Sequence, residues 1–178
     1  MGDRKLKFEA SVLPHLDAAY NFARWLTRND HDAEDVVQEA FLRAYRYFDG
    51  LRGDSRAWLL SIVRNTCFTW LKSNRPAELV GLDPEEGYEE TVAYTAGPEA
   101  LASLNFNRHM LNEAIAALPA VFREVVVLRE LEELSYKEIA RITEVPIGTV
   151  MSRLSRARRL LQQSLGVIAN ASVPRVPK

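Results

Sequence analysis

Arg153, Arg156, Arg158 and Arg159 crowd one short stretch of the chain, and no acid occurs between Val145 and Gly166. Guanidinium groups at this density grip anions: each offers a planar fork of donors that suits phosphate oxygens or a base edge with two acceptors. The stretch could also be a helical hairpin whose arginines only keep one face wet, but the residues before it argue for more. Ser135 can cap a helix, with Glu138 three residues on to complete a capping box. Ile139, Ala140 and Ile142 give that helix an inner side, and small Ala140 lets a second helix cross closely. Thr143 to Pro146 makes a corner, because Pro146 suits a first helical turn and pushes Val145 out of helical geometry. Glu144 stands where such corners often have glycine, so a positive φ there would be mildly strained. The second helix then buries Ile147, Val150, Leu154 and Leu161, and shows Ser152, Arg153, Arg156 and Arg159. A helix-turn-helix whose second helix carries one sign of charge is suited to the DNA major groove.

Two further constellations could bind. Asp35, Gln38, Glu39 and Leu42 share a stripe at offsets of three, four and seven, placing two carboxylates, an amide and a leucine in one patch. It reads either as a solvated acidic face or as a docking surface for a basic partner. Farther on, Phe68 lies on one helical side with Ser61, Arg64, Asn65 and Lys72. An aromatic among cations can stack a base while its neighbours hold phosphates. It can equally be a surface ring that packs on a linker.

Enzyme chemistry finds little support. His15, His31 and His109 are scattered, there is no glycine-rich phosphate loop, and no metal-ligand spacing occurs. No catalytic residue, metal or cofactor is expected. The single Cys67 excludes an intramolecular disulfide and a cysteine-rich zinc site, and reads as a small core residue. The chain has 178 residues, 47% hydrophobic and 26% charged, with a net charge of −1 that conceals a segregation. Residues 1–76 carry +2, residues 77–107 carry −7 and residues 108–178 carry +4. Two mildly basic ends around an acidic middle fit a two-domain DNA binder with a linker. With neither a signal peptide nor an apolar run long enough to span a bilayer, a cytosolic, reduced protein without membrane insertion is expected.

The elements that must position these residues are all helical. A first helix is predicted over Phe8–Arg28, with Val12, Leu16, Ala19, Tyr20, Ala23 and Leu26 inside and Pro14 tolerated near its start. Asp32 is the predicted N-cap of a second helix running to about Asp49, with Val37, Ala40, Phe41, Ala44 and Phe48 inside. After the loop Gly50–Asp54, a third helix capped by Asp54 or Ser55 continues to Asn74, stopped by Pro76. Its inner side holds Trp58, Leu59, Ile62, Val63, Thr66, Cys67, Trp70 and Leu71. Residues 77–98 read as a flexible linker bearing Asp83, Glu85, Glu86, Glu89 and Glu90, which would hold the basic faces off DNA until a partner rearranges them. A helix follows from Ala100 to Leu118, another from Ala120 to Leu131, then the helix-turn-helix and a loose tail after Gly166. The expected fold is all-α: two small helical bundles over residues 8–76 and 99–166, a linker over 77–98 and a tail over 167–178, with no strand pattern.

With both halves read, the chain resembles the bacterial sigma factors of the extracytoplasmic-function (ECF) class, which keep only the second and fourth regions of their family. Three stretches carry the likeness: Asp32–Tyr45, Phe48–Asn65 and Leu131–Leu160, the last with Pro146-Ile-Gly-Thr-Val150 and Ser152-Arg-Leu-Ser-Arg-Ala-Arg158. The resemblance implies that Asp35, Gln38, Glu39 and Leu42 dock on a basic coiled coil of the large polymerase subunit's clamp, with the C-terminal domain meeting the flap. It implies that Leu51, Arg52, Gly53, Asp54 and Asn65 hold a flipped base of the −10 element, beside Arg64, Phe68 and Lys72. It implies that Thr149, Ser152, Arg153 and Arg156 face the −35 major groove, with Arg156 bidentate on a guanine and Arg158 and Arg159 on phosphates. Met151 stands where relatives commonly carry Arg or Lys, and Phe68 and Thr69 where many are charged or polar.

The function so implied is that of a dissociable subunit, monomeric when free. It binds core RNA polymerase and promoter DNA, directs initiation, and is controlled by an anti-sigma factor. One rival is a two-domain DNA-binding regulator that never joins polymerase, which leaves the acidic stripe and the Phe68 face unexplained. Another is a decoy that only titrates an inhibitor, which has no need of the arginines after Val145.

Overall fold

Pro14 divides the first helical stretch instead of riding within it. A proline has no N–H to donate and its ring crowds the carbonyl four residues back. The chain therefore forms α1 (Gly2–Val12), a 3-10 turn (Leu13–His15) and α2 (Leu16–Thr27), where one helix was expected. Leu16, expected inside, stays 40% exposed just after this turn. The computed structural model describes residues 2–79 and 108–171, and among them every regular element is helical.

Helix α3 (Asp30–Tyr47) begins earlier than its charges suggested. Asn29, not Asp32, is its N-cap, accepting from the Asp32 N–H at 3.0 Å, while Asp30 and Asp32 sit in the first turn beside the positive end of the helix dipole. Asp54 caps α4 (Ser55–Asn74) by accepting from the Arg56 N–H. The loop before it turns at Gly53, whose φ of +75° suits a residue without Cβ. Helices α2, α3 and α4 pack on one another around Phe22, Leu26, Val36, Ala40, Leu59 and Val63. Phe8 of α1 closes one end, its ring edge-on to Phe41, Tyr45 and Phe48. Cys67 is buried in this half, and burial pushes its thiol pKa up, which makes it the inert core residue expected.

The second half contains α5 (Arg108–Ala117), α6 (Ala120–Val126), α7 (Tyr136–Thr143) and α8 (Ile147–Ala171). Helix α6 runs on as a π turn over Val127–Leu131 rather than as the continuous α-helix expected. The Ser135–Glu138 capping box forms in both directions, at 3.2 and 2.7 Å. Glu144 adopts the left-handed φ of +57° that the corner demands, and the Pro146 carbonyl accepts from Thr149 and Val150 to start α8. That helix buries Val150, Leu154, Ala157, Leu161 and Leu165. Ile147, expected inside, is 44% exposed at the first position of α8. The expected start of α5 at Ala100 and Leu101, and the linker acids Asp83 to Glu90, lie outside the described residues.

The two helical bundles, whose placement relative to each other the sequence leaves open, meet: α4 packs on α7 and α2 on α6, and one apolar cluster runs through both. Helix α6 is buried on all sides, at Ala120, Phe122, Arg123, Glu124, Val125 and Val126. A helix so enclosed must be apolar or have its charges paired, and the partners of Arg123 and Glu124 decide how the halves meet. The capping box offers a local test of the second half. Ser135→Ala is expected to lower unfolding free energy by about 1 kcal/mol, measured by urea denaturation; an unchanged midpoint would show that the box contributes nothing.

Candidate nucleic-acid and polymerase-docking surfaces

Glu124 sits at the centre of the contact between halves, with no solvent exposure. Arg64 of α4 approaches it side-on: its Nε donates to Oε2 at 2.8 Å and its Nη2 to Oε1 at 3.3 Å. Arg153 of α8 donates to the same Oε1 at 3.4 Å. One carboxylate thus holds one arginine from each of the two surfaces expected to touch DNA. Burial pushes the Glu124 carboxyl above its ordinary range, and the guanidiniums of Arg64 and Arg153 push back. Arg64 also lies flat on the Phe68 ring, 3.9 Å from its centroid.

Two more ionic contacts border this one. Arg56 at the start of α4 donates to the Glu132 carboxylate at 2.7 Å and to its backbone carbonyl at 2.9 Å. Arg123, 1% exposed, donates to the carbonyls of Ala116, Leu118 and, across the interface, Leu26, and to Glu78 at 2.9 Å. Burial alone would raise Glu78, but Arg123 and Arg28 outweigh it and hold that carboxyl below the ordinary range. Arg28 in turn reaches the Ala116 carbonyl at 3.3 Å. None of Arg56, Glu78, Arg123, Glu124 and Glu132 was singled out from sequence. The one available signal was an Arg-Glu pair inside the apolar run Ala120–Leu128, which points to buried pairing without naming partners in the other half.

The remaining residues of the first expected DNA surface lie along the loop and outer side of α4. Arg52, Gly53, Asp54, Asn65 and Lys72 are exposed, Leu51 and Phe68 are half-buried, and Arg64 is turned to Glu124. On α8, Ser152, Arg156 and Arg159 are exposed and Thr149 is half-buried. Arg153, expected on the outer side, is 8% exposed and faces inward, because α6 of the same half supplies a buried carboxylate there. Arg158 pairs with Glu130 at 2.7 Å, and Arg156 lies 5.6 Å from the Phe122 ring centroid.

Asp35, Gln38, Glu39 and Leu42 are all exposed on α3, on the side away from its packed residues Val36, Val37, Ala40 and Ala44. Leu42 is 60% exposed beside Glu39, which pairs with Arg43. The arrangement offers an acidic patch around an apolar centre. Among the described residues no cluster of His, Cys, Asp and Glu could hold a metal ion, and no helix is long and apolar enough to cross a membrane.

Comparison with known proteins matches both halves. Sigma-70 region 2 matches residues 12–76 and sigma-70 region 4 matches residues 108–161. The ECF RNA polymerase sigma-E factor of Escherichia coli (strain K12) is 39% identical over 141 residues, 75% of this chain and 74% of that protein. The ECF RNA polymerase sigma factor SigW of Bacillus subtilis (strain 168) is 34% identical over 157 residues, 84% of this chain and 83% of SigW. Among solved structures, the sigma factor RpoE in complex with the anti-sigma factor NepR from Bartonella quintana superposes with a TM-score of 0.68 at 29% identity, covering 90% of this chain and 98% of that one. CnrH in complex with the cytosolic domain of CnrY gives a TM-score of 0.63 at 24% identity, covering 95% and 91%, a likeness of fold.

Removing one member of a buried ionic group strands the others, at a cost of about 3–5 kcal/mol. Glu124→Ala is therefore expected to uncouple the halves and split urea unfolding into two transitions, with Glu124→Gln intermediate. A single transition of unchanged midpoint would show that Glu124 does not hold them together.

Proposed function

Because the chain belongs to the sigma-70 family, as a sigma factor of the ECF class, we propose that its three surfaces work in sequence on one promoter. The protein is a promoter-directing subunit that binds core RNA polymerase and promoter DNA. Asp35, Gln38, Glu39 and Leu42 dock on the clamp coiled coil of the large subunit, where complementary charge speeds and orients encounter. Leu51, Arg52, Gly53, Asp54 and Asn65 capture a flipped −10 base, and Arg64, Phe68 and Lys72 follow the opened strand. Capturing unstacked bases offsets a melting cost of a few kcal/mol each. Thr149, Ser152, Arg153 and Arg156 read the −35 duplex, with Arg158 and Arg159 on phosphates and the flap beside the C-terminal half. Residues 8–76 and 99–166 are the working domains, joined by the linker over 77–98.

The observation that carries this order of events is the difference between surfaces. The docking stripe is exposed while Arg64 and Arg153 are tied to Glu124. Polymerase can therefore be engaged first, and the halves part afterwards. An anti-sigma factor, such as those bound to the relatives of known structure, would keep this chain from polymerase. The chain itself catalyses nothing; polymerase forms the phosphodiester bonds in the cytoplasm, and the free sigma is a monomer.

Run-off transcription with core polymerase over a promoter library tests docking, recognition and melting together. Transcripts should start only when the protein is added. The Asp35→Ala/Glu39→Ala variant should bind core polymerase on the order of tenfold more weakly, the scale of one or two lost charge pairs. A protein that neither associates with core enzyme nor starts transcripts, or a double variant that binds like the parent, would overturn the assignment.

A further inference from the structure

The first two turns of α8 present an outer face without charge. Ile147, Gly148, Met151 and Ser152 are exposed there. In the free protein Arg153 is turned inward to Glu124 and Arg158 pairs with Glu130, so Ile147 and Met151 are the large side chains exposed at the start of α8. Ile147 and Met151, one helical turn apart, are 44% and 52% exposed. Met151 holds no structural post, since the core of this half is filled from the opposite side by Val150, Leu154 and Ala157. Between the two lies Gly148, where a Cβ would meet nothing within 4 Å, so the helix backbone there is open to close approach. Ser152 donates its hydroxyl proton to the Thr149 carbonyl at 3.1 Å, which leaves an acceptor on its outer side.

The N-terminal residues of a recognition helix are the ones that meet base edges. A cation-free apolar pair at that place cannot make the bidentate contact that arginine makes with guanine. It matches the one apolar feature that the major groove displays, the C5-methyl group of thymine. Rim residues Arg156 and Arg159, and the absence of acid from Val145 to Gly166, supply the charge complementarity that brings a duplex to this face.

We propose that Met151, supported by Ile147, is a specificity-determining residue that reads a thymine methyl group in the −35 element. This rests on the assignment of α8 to that duplex. It makes the −35 preference of this protein depend in part on shape and methylation of the base edge, at a position where an arginine would have read charge.

The test uses the full-length protein with core polymerase and a promoter chosen from a library randomised over the −35 element. Each −35 thymine is replaced singly by uracil, which removes the methyl group and leaves every base-pairing atom in place. Wild-type transcription and holoenzyme binding are expected to fall roughly three- to fivefold at one position, what one buried methyl group is worth. Met151→Ala should lose that much on the thymine template and show no further loss with uracil, whereas Met151→Leu should keep the distinction. Met151→Arg should bind more tightly at low salt, with a steeper salt dependence, and ignore the methyl group. Transcription from the thymine template by the wild type checks the assignment of α8 separately. Equal activity on all uracil templates, a selected element without thymine, or an undiminished uracil penalty in Met151→Ala would overturn the proposal.

Discussion

A single carboxylate with no access to water links the two halves of the chain. Glu124 is enclosed in α6 between α2 and α8, and among the described residues two guanidiniums neutralise it, one from each half. An ionised carboxylate in such a place costs several kcal/mol of lost hydration, recovered only while both partners stay in position. The contact is therefore an all-or-none feature. It is intact when α4 and α8 face each other, and it becomes a liability as soon as one moves away.

Such a group contributes more to register than to net stability. Apolar residues of the same shape would pack the halves at least as firmly. What Arg64 and Arg153 add is exclusivity, since each can neutralise Glu124 or a DNA phosphate but not both. Arg56 on Glu132, and Arg123 on Glu78 and the Leu26 carbonyl, extend the same logic to the margins of the interface. In the packed form the chain's own acids occupy cations of the surfaces proposed to touch DNA, while the acidic stripe proposed to dock on polymerase stays exposed on α3. The sequence suggested that linker acids would do this shielding. Acids inside the second half pair with Arg64 and Arg153 at hydrogen-bond distances, and the linker acids lie outside the described residues.

Most of the architecture was legible because its signals are local. Periodicity located the helices, Ser135 and Glu138 located the capping box, and the corner strain at Glu144 was foreseeable from a non-glycine residue there. The failures were local as well. Asn29 outcompeted Asp32 as a cap, and Pro14 broke a helix that apolar spacing alone made continuous. Packing between the halves was not legible. The inward turn of Arg153 depends on a carboxylate outside its own helix and on an arginine some ninety positions earlier. No pattern within a helix encodes that. The exposure of Ile147, which helical spacing placed inside, was not legible either.

We propose that the packed halves separate when polymerase is engaged, which frees Arg64 from Glu124 for the promoter while Arg153 keeps its partner within its own half. Labels on cysteines introduced at exposed Asn21 of α2 and Gln163 of α8 would report it, since buried Cys67 is protected from labelling. The distance between them should be short and narrowly distributed in the free protein and lengthen on addition of core polymerase. A distribution that is the same with and without polymerase would contradict it.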